Sequence, residues 1–249
     1  MSAASVRREL LATWAVAVAG LAAAGVLSLV EPTGLLRGNL AGVAALLFVL
    51  LPDRSVRRRG ESWQEHGLAW WGLGDGRTWR AWGRGAAVAL VACAVLFPAF
   101  LAAFWAFAEI LPSLPGWAAR ALAPYRALPE PALRLPDGFA LMVPVQLLVV
   151  ALPEELFYRG WMQGRWAAAE PGRGVTVLGA RLGSGFLATQ ALFALGHLAA
   201  VPAPWRLGTF FPGLLFGWLR ARTGNVAAPV LVHALSNLFL RTLEASFYG

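Results

Sequence analysis

The chain has 249 residues, of which 58% are hydrophobic and only 14% are charged. Soluble domains carry about 25% charged residues, so this composition excludes a disordered chain and favours a membrane protein. All 21 basic residues are arginines, they give a net charge of +8, and a single cysteine excludes a disulfide scaffold. The arginines lie mostly between apolar runs, so we predict membrane lipids and no nucleic acid as partners.

Apolar runs of about 20 residues recur, and each is long enough to cross a hydrocarbon layer of about 30 Å. We predict an all-α fold, a polytopic transmembrane helical bundle of about seven spans (six to eight), forming a single integral-membrane domain over residues 1–249. Pro52 is expected to end the second span and Pro98 to kink the third. The predicted spans cover residues 10–30, 39–51, 85–111, 138–166, 185–201, 207–219 and 226–245.

Two connecting regions are long. Residues 53–84 carry seven arginines and five tryptophans, a mixture typical of an amphipathic segment that lies among the lipid headgroups. Residues 113–137 contain five prolines and are predicted to form an irregular loop with a short helix around residues 117–123.

The distribution of arginines predicts the orientation in the membrane. A cytoplasmic N-terminus places fourteen arginines on the cytoplasmic side and six on the opposite side. The positive-inside rule therefore predicts a multi-pass protein of the cell inner (cytoplasmic) membrane with its N-terminus in the cytoplasm. The cytoplasmic set is Arg7, Arg8, Arg54, Arg57, Arg58, Arg59, Arg77, Arg80, Arg84, Arg165, Arg173, Arg181, Arg220 and Arg222; the opposite set is Arg37, Arg120, Arg126, Arg134, Arg206 and Arg241.

Three predicted spans carry polar side chains, which cost several kcal/mol at membrane depth and so indicate function. They are Glu154, Glu155 and Arg159 in the fourth span, His197 in the fifth with Phe193 one turn before it, and His233 and Asn237 in the seventh. Glu155 and Arg159 are four residues apart and are expected to pair, whereas Glu154 is rotated by about 100° from Glu155. We expect the three helices to present these groups to one intramembrane cavity, which Phe193 helps to wall.

Each of these groups alone also has a structural interpretation. The glutamates with Arg159 fit a solvated cluster at a helix end, and His197 fits an interhelical hydrogen-bond donor. His233 with Asn237 fits polar packing between helices. Two glutamates, an arginine four residues on and two separated histidines together favour a functional site.

The motif order EExxxR, then FxxxH, then HxxxN resembles that of the CAAX-protease and bacteriocin-processing (CPBP) family of intramembrane proteases. The prenyl-protein endopeptidase is the eukaryotic member of that family. The motifs lie within residues 143–239, and their order and spacings fit the family. In size and in Arg and Trp content the sequence is also similar to the glutamic-type sorting proteases of myxobacteria. The resemblance implies a protein or peptide substrate, with a lipidated segment or a C-terminal sorting segment as candidates.

Peptide hydrolysis needs an activated water, a stabilised oxyanion and a proton for the leaving amine. We expect Glu154 and His197 to hold and activate the water. His233 and Asn237 are expected to donate hydrogen bonds to the oxyanion, and the Glu155–Arg159 pair to support the site. The resemblance implies the same roles, with Glu154 as the catalytic carboxylate.

The sequence therefore predicts an intramembrane endopeptidase of the glutamic type that needs no cofactor. The metal-dependent alternative is a zinc site formed by Glu154, His197 and His233, although the sequence has no HExxH motif. Two other functions stay open. A proton-coupled transporter also uses buried Glu, His and Arg, and the protein could be a non-catalytic membrane scaffold or immunity protein.

Overall fold

Helices make up most of the chain in the computed structural model, which describes residues 2–118, 131–200 and 202–248. The predicted all-α class is confirmed. The helices are, in chain order, α1 (Ala3–Val30), α2 (Leu35–Gly38), α3 (Leu40–Arg58), α4 (Gly76–Ile110), α5 (Phe139–Ala169), α6 (Ser184–Ala200), α7 (Phe210–Thr223) and α8 (Ala227–Tyr248). Turns of 3₁₀ helix at Leu111–Ser113 and Pro204–Thr209 follow α4 and precede α7.

A small hairpin in the α5–α6 connection was not predicted. Strand β1 (Val175–Val177) pairs antiparallel with β2 (Ala180–Leu182). The two turn residues, Leu178 and Gly179, both have positive φ, at 47° and 77°. Two-residue hairpin turns need this left-handed backbone, which glycine adopts readily and leucine rarely adopts. Of the two turn residues, only Gly179 is therefore typical of such a turn.

Each predicted span overlaps one of the described helices, with bounds that differ by up to several residues. Three of the described helical segments, Ala3–Val30, Gly76–Ser113 and Phe139–Ala169, are long and apolar enough to cross a membrane. Helix α7 has 14 residues, about 21 Å at 1.5 Å per residue, which is shorter than a hydrocarbon layer of about 30 Å. The protein is a membrane-embedded helical bundle, and its number of spans stays a prediction. The short helix predicted around residues 117–123 extends into residues 119–130, which with Arg120 and Arg126 lie outside the described residues.

The prediction that Pro52 ends the second span is wrong, because α3 continues through Pro52 to Arg58. Proline removes one backbone hydrogen bond but need not end a helix that packing holds on both sides. Here Phe48, Pro52 and Val56 are buried at four-residue intervals on one face of α3. Helix α4 likewise continues through Pro98.

Helix α5 is wound irregularly. Two of its segments, Val145–Ala151 and Leu156–Gln163, are π-helical. Each follows a proline, Pro144 or Pro153, which lacks an N–H and whose ring clashes with the carbonyl four residues earlier. π-Helical segments are rare in proteins, and those that occur often lie at functional sites. The second one begins directly after Glu155.

The second π-helical segment lies in the centre of the bundle, and all eight of its residues are buried. Its aromatic residues Phe157, Tyr158 and Trp161 pack in one cluster with residues of α1, α3 and α6. On the other side, α8 packs along α4 and also contacts α5 and α7. Polar side chains in this part of α5 therefore face neighbouring helices.

The tryptophan-rich connection between α3 and α4 is only partly a surface segment. The N–H of Val226 donates to the carbonyl of Gly67 at 2.9 Å, and His66 is buried. A Cβ atom on Gly160 would lie 2.9 Å from the carbonyl oxygen of His66, so this loop packs directly on α5. The headgroup location stays a prediction for the exposed side chains of Trp70, Trp71 and Trp79.

Candidate active site

Glu155 is the centre of a polar cluster inside the bundle. Its carboxylate is fully buried, and Oε1 accepts hydrogen bonds from Arg159 Nη1 and His233 Nδ1, both at 2.9 Å. Helix α5 places Arg159 one turn after Glu155, and α8 supplies His233. The predicted contact between Glu155 and Arg159 is confirmed.

His233 lies between the two glutamates. Its second ring nitrogen, Nε2, is 3.9 Å from Oε2 of Glu154, whose side chain is 16% exposed. That oxygen has no hydrogen-bond partner among the described residues. The ring of Phe216 stacks on the imidazole with centroids 4.9 Å apart and fixes its plane. Oε2 of Glu155 likewise lacks a partner among the described residues, but that side chain is fully buried, so Glu154 is the carboxylate of this pair that a substrate or a water can reach.

Arg159 joins three helices. Its Nη2 atom donates to Oε1 of Gln190 at 2.9 Å and to the carbonyl of Gly213 at 3.4 Å. The guanidinium lies 4.1 Å from the ring centroid of Phe193, a cation–π contact. Gln190 in turn donates to Gln163 at 3.1 Å. The sequence interpretation missed both glutamines, although they lie within predicted spans, where polar side chains are expensive.

His197 and Phe193 lie one turn apart on α6 and contact each other. Nδ1 of His197 lies 2.8 Å from the carbonyl oxygen of Phe193. A carbonyl only accepts, so Nδ1 carries the hydrogen and, in the neutral ring, Nε2 presents a lone pair. The ring of Phe193 packs edge-on against His197 at 4.6 Å and against His233 at 6.1 Å. Phe193 therefore contacts Arg159 and both histidines.

Asn237 is oriented by a residue that the sequence interpretation missed. Its Nδ2 donates to Oε1 of Gln146 at 2.9 Å. Gln146 lies on the first π-helical segment of α5. One N–H of the Asn237 amide is used by this contact, and the other remains able to donate.

The structure thus brings Glu154, Glu155, Arg159 and His233 into one cluster. The guanidinium and the imidazole both hydrogen-bond the buried carboxylate of Glu155, and a buried carboxylate is tolerated only with such partners. In the part of the chain that is described, Glu154 and His197 form no direct hydrogen bond or ion pair, so the predicted shared water stays a prediction.

The zinc alternative requires three ligands to converge. Within residues 2–118, 131–200 and 202–248, no three His, Cys, Asp or Glu side chains form a group that could hold a metal ion. As arranged here, Glu154, His197 and His233 do not form such a group.

Polar and ionisable groups buried in a membrane-embedded bundle are expensive, so this cluster is the candidate functional site of a membrane protein. Residues 136–239 match the sequence model of the family Type II CAAX prenyl endopeptidase Rce1-like. This match confirms the family resemblance drawn from the motifs and spans all seven candidate residues. The narrower similarity to sorting proteases stays a prediction. Neither the curated proteins nor the solved structures gave a match.

Proposed function

We propose that the protein is an intramembrane endopeptidase of the glutamic type, which hydrolyses a peptide bond near the membrane. The observation that carries this proposal is the position of His233, with Nδ1 2.9 Å from Glu155 and Nε2 3.9 Å from Glu154. The family match supports a protease over a transporter or a scaffold.

In the proposed reaction, Glu154 accepts a proton from a water whose oxygen bonds to the carbonyl carbon of the substrate peptide. The Nε2 lone pair of His197 accepts a second hydrogen bond from that water and orients it. The proton then passes through Glu154 and His197 to the leaving nitrogen as the C–N bond breaks. This transfer restores the carboxylate of Glu154.

The oxyanion that forms in this step needs hydrogen-bond donors. His233 commits its Nδ1–H to Glu155, so its Nε2 donates only when the ring is an imidazolium. This Nε2 lies 3.9 Å from Oε2 of Glu154. Asn237 offers the amide N–H that Gln146 does not use. Glu155 and Arg159 then serve as positioning residues.

We further propose an inner-membrane location with a cytoplasmic N-terminus, and a substrate with either a lipidated or a C-terminal sorting segment. The arginine distribution supports this orientation. Cysteine-scanning with an impermeant thiol reagent, after Cys93→Ala removes the native thiol, tests it.

Comparative proteomics of membrane and secreted fractions tests the activity in cells. Cells carrying the wild type, Glu154→Gln or Glu109→Gln are compared. Glu109 is an exposed glutamate near the end of α4 and provides the matched control. We expect an uncleaved precursor to accumulate only with Glu154→Gln. Equal precursor levels in all three strains, at equal amounts of the protease, would contradict the proposal.

A further inference from the structure

A cavity of about 220 Å³ lies at the end of α5 remote from the glutamates. It is lined by the last turns of α5, the segment that follows α5, strand β2, the first turn of α6 and the end of α7. A water occupies about 30 Å³ in the liquid, so the cavity has room for a multi-atom ligand. Its polar lining includes Gln163, Glu170, Arg173, Arg181, Ser184 and Arg220.

Three arginines line this cavity against a single glutamate, Glu170. The carboxylate of Glu170 is already engaged, because it accepts hydrogen bonds from Ser184 Oγ at 2.7 Å and from Arg7 Nη1 at 2.9 Å. The hydroxyl of Ser184 and the charge of Arg7 hold the pKa of Glu170 below its usual value. Arg181 donates to the carbonyls of Gly172 and Arg173, and the charge of Arg173 acts on Glu170, but none of the three arginines forms an ion pair with a carboxylate among the described residues.

Arg220 shows this most clearly. Its Nε is buried without a hydrogen-bond partner, and no carboxylate lies within ion-pair distance of it among the described residues. The guanidinium lies against two glycines, since a Cβ atom would lie 2.8 Å from it at Gly67 and 3.7 Å from it at Gly164. Arg220 is half-buried, and a guanidinium whose enclosed Nε has no acceptor is costly, so this arrangement indicates an anionic ligand.

The start of helix α6 adds donors, apart from the N–H of Phe186, which already donates to the carbonyl of Gly183 at 3.1 Å. The helix begins at Ser184, and residues 183–186 line the cavity. The first N–H groups of a helix have no intrahelical carbonyl, and this end carries a partial positive charge. Arginines combined with a helix N-terminus are the usual donors for phosphoryl oxygens.

We propose that this cavity binds a phosphoryl anion, the group shared by anionic phospholipid headgroups and free phosphate. The site is separate from the candidate active site but connected to it. Gln163 lines the cavity and accepts a hydrogen bond from Gln190, which itself accepts one from Arg159.

Binding by the purified full-length protein tests the site without any need for proteolysis. Phosphatidylglycerol binding in detergent is measured by native mass spectrometry, with phosphatidylcholine as the zwitterionic comparison. Inorganic phosphate is titrated calorimetrically into protein held in phosphatidylcholine nanodiscs. The variants are Arg220→Gln, Arg173→Gln and the control Arg222→Gln, which removes one exposed arginine from the same end of α7.

We expect Arg220→Gln to weaken binding at least tenfold and Arg173→Gln at least threefold, with less than a twofold change for Arg222→Gln. Loss confined to phosphatidylglycerol identifies a lipid headgroup as the source, and loss confined to inorganic phosphate identifies a soluble anion. Arg173 is exposed and lies outside the helices, so its variant keeps the test valid if Arg220→Gln unfolds. The proposal would be overturned if Arg173→Gln and Arg220→Gln bound both probes as tightly as the control Arg222→Gln does.

Discussion

Replacing Arg159 by alanine should unfold the bundle more readily as well as impair activity. The substitution leaves the fully buried carboxylate of Glu155 with His233 as its remaining partner. It also removes the hydrogen bonds to Gln190 and to the carbonyl of Gly213. Breaking a buried ion pair on one side costs about 3–5 kcal/mol, because the remaining charge loses its compensation.

The chain offers a matched control for this prediction. Arg57 and Asp53 have the same four-residue spacing, but the side chain of Arg57 is 79% exposed. An exposed pair contributes at most about 1 kcal/mol, so Arg57→Ala should be nearly silent. For a chain of this size, each kcal/mol shifts the melting temperature by about 2–4 °C. We therefore expect a decrease of about 6–20 °C for Arg159→Ala and less than about 4 °C for Arg57→Ala.

Cys93, the only cysteine in the chain, is buried in α4 and reports unfolding when it reacts with a thiol-sensitive dye. Melting curves of the wild type and both variants in the same detergent give the comparison directly. Equal melting temperatures for the wild type and Arg159→Ala would refute the reasoning. A variant with normal stability but no activity would place Arg159 among the groups that contact the substrate.

Three further predictions concern other parts of the molecule. Gln146→Leu should lower the cleavage rate about tenfold in a peptide assay, because Asn237 loses the acceptor that orients it. Burial lowers the pKa of His66 from its usual value of 6.5. As the pH falls, His66 therefore binds a proton in the unfolded chain before it does so in the folded protein, so the stability monitored with the dye should fall below pH 6.5. His66→Gln should remove this decline. Stringent chelation should leave cleavage unchanged, and loss restored by zinc alone would contradict the metal-free mechanism.

The contact between Glu155 and Arg159 was predictable because it depends only on helix geometry within one segment. The partners supplied by other helices were not, since Gln190 and Gln146 meet their partners only through the packing of α5, α6 and α8. A signal was nevertheless present, because both glutamines lie inside apolar runs. Treating every polar residue in a span as a candidate would have found them.

The winding of α5 and the path of α3 were harder to predict. Prolines lie in α3, α4 and α5, yet only in α5 do π-helical segments follow them. The sequence shows where each proline removes a backbone N–H. Tertiary packing decides whether the helix then continues as a regular α-helix or changes to a π-helical segment. The same holds for the hairpin, where packing of the connection tolerates a leucine with positive φ.

The most direct test of the central claim is the cleavage rate of Glu154→Gln in proteoliposomes, with the precursor found by proteomics as substrate. General-base catalysis contributes about 10²–10⁴-fold, so we predict a decrease in kcat of that size with an unchanged melting temperature. Glu109→Gln, measured in parallel, should cleave at the wild-type rate. Cleavage by Glu154→Gln at the wild-type rate would contradict the assignment of Glu154 as the catalytic carboxylate.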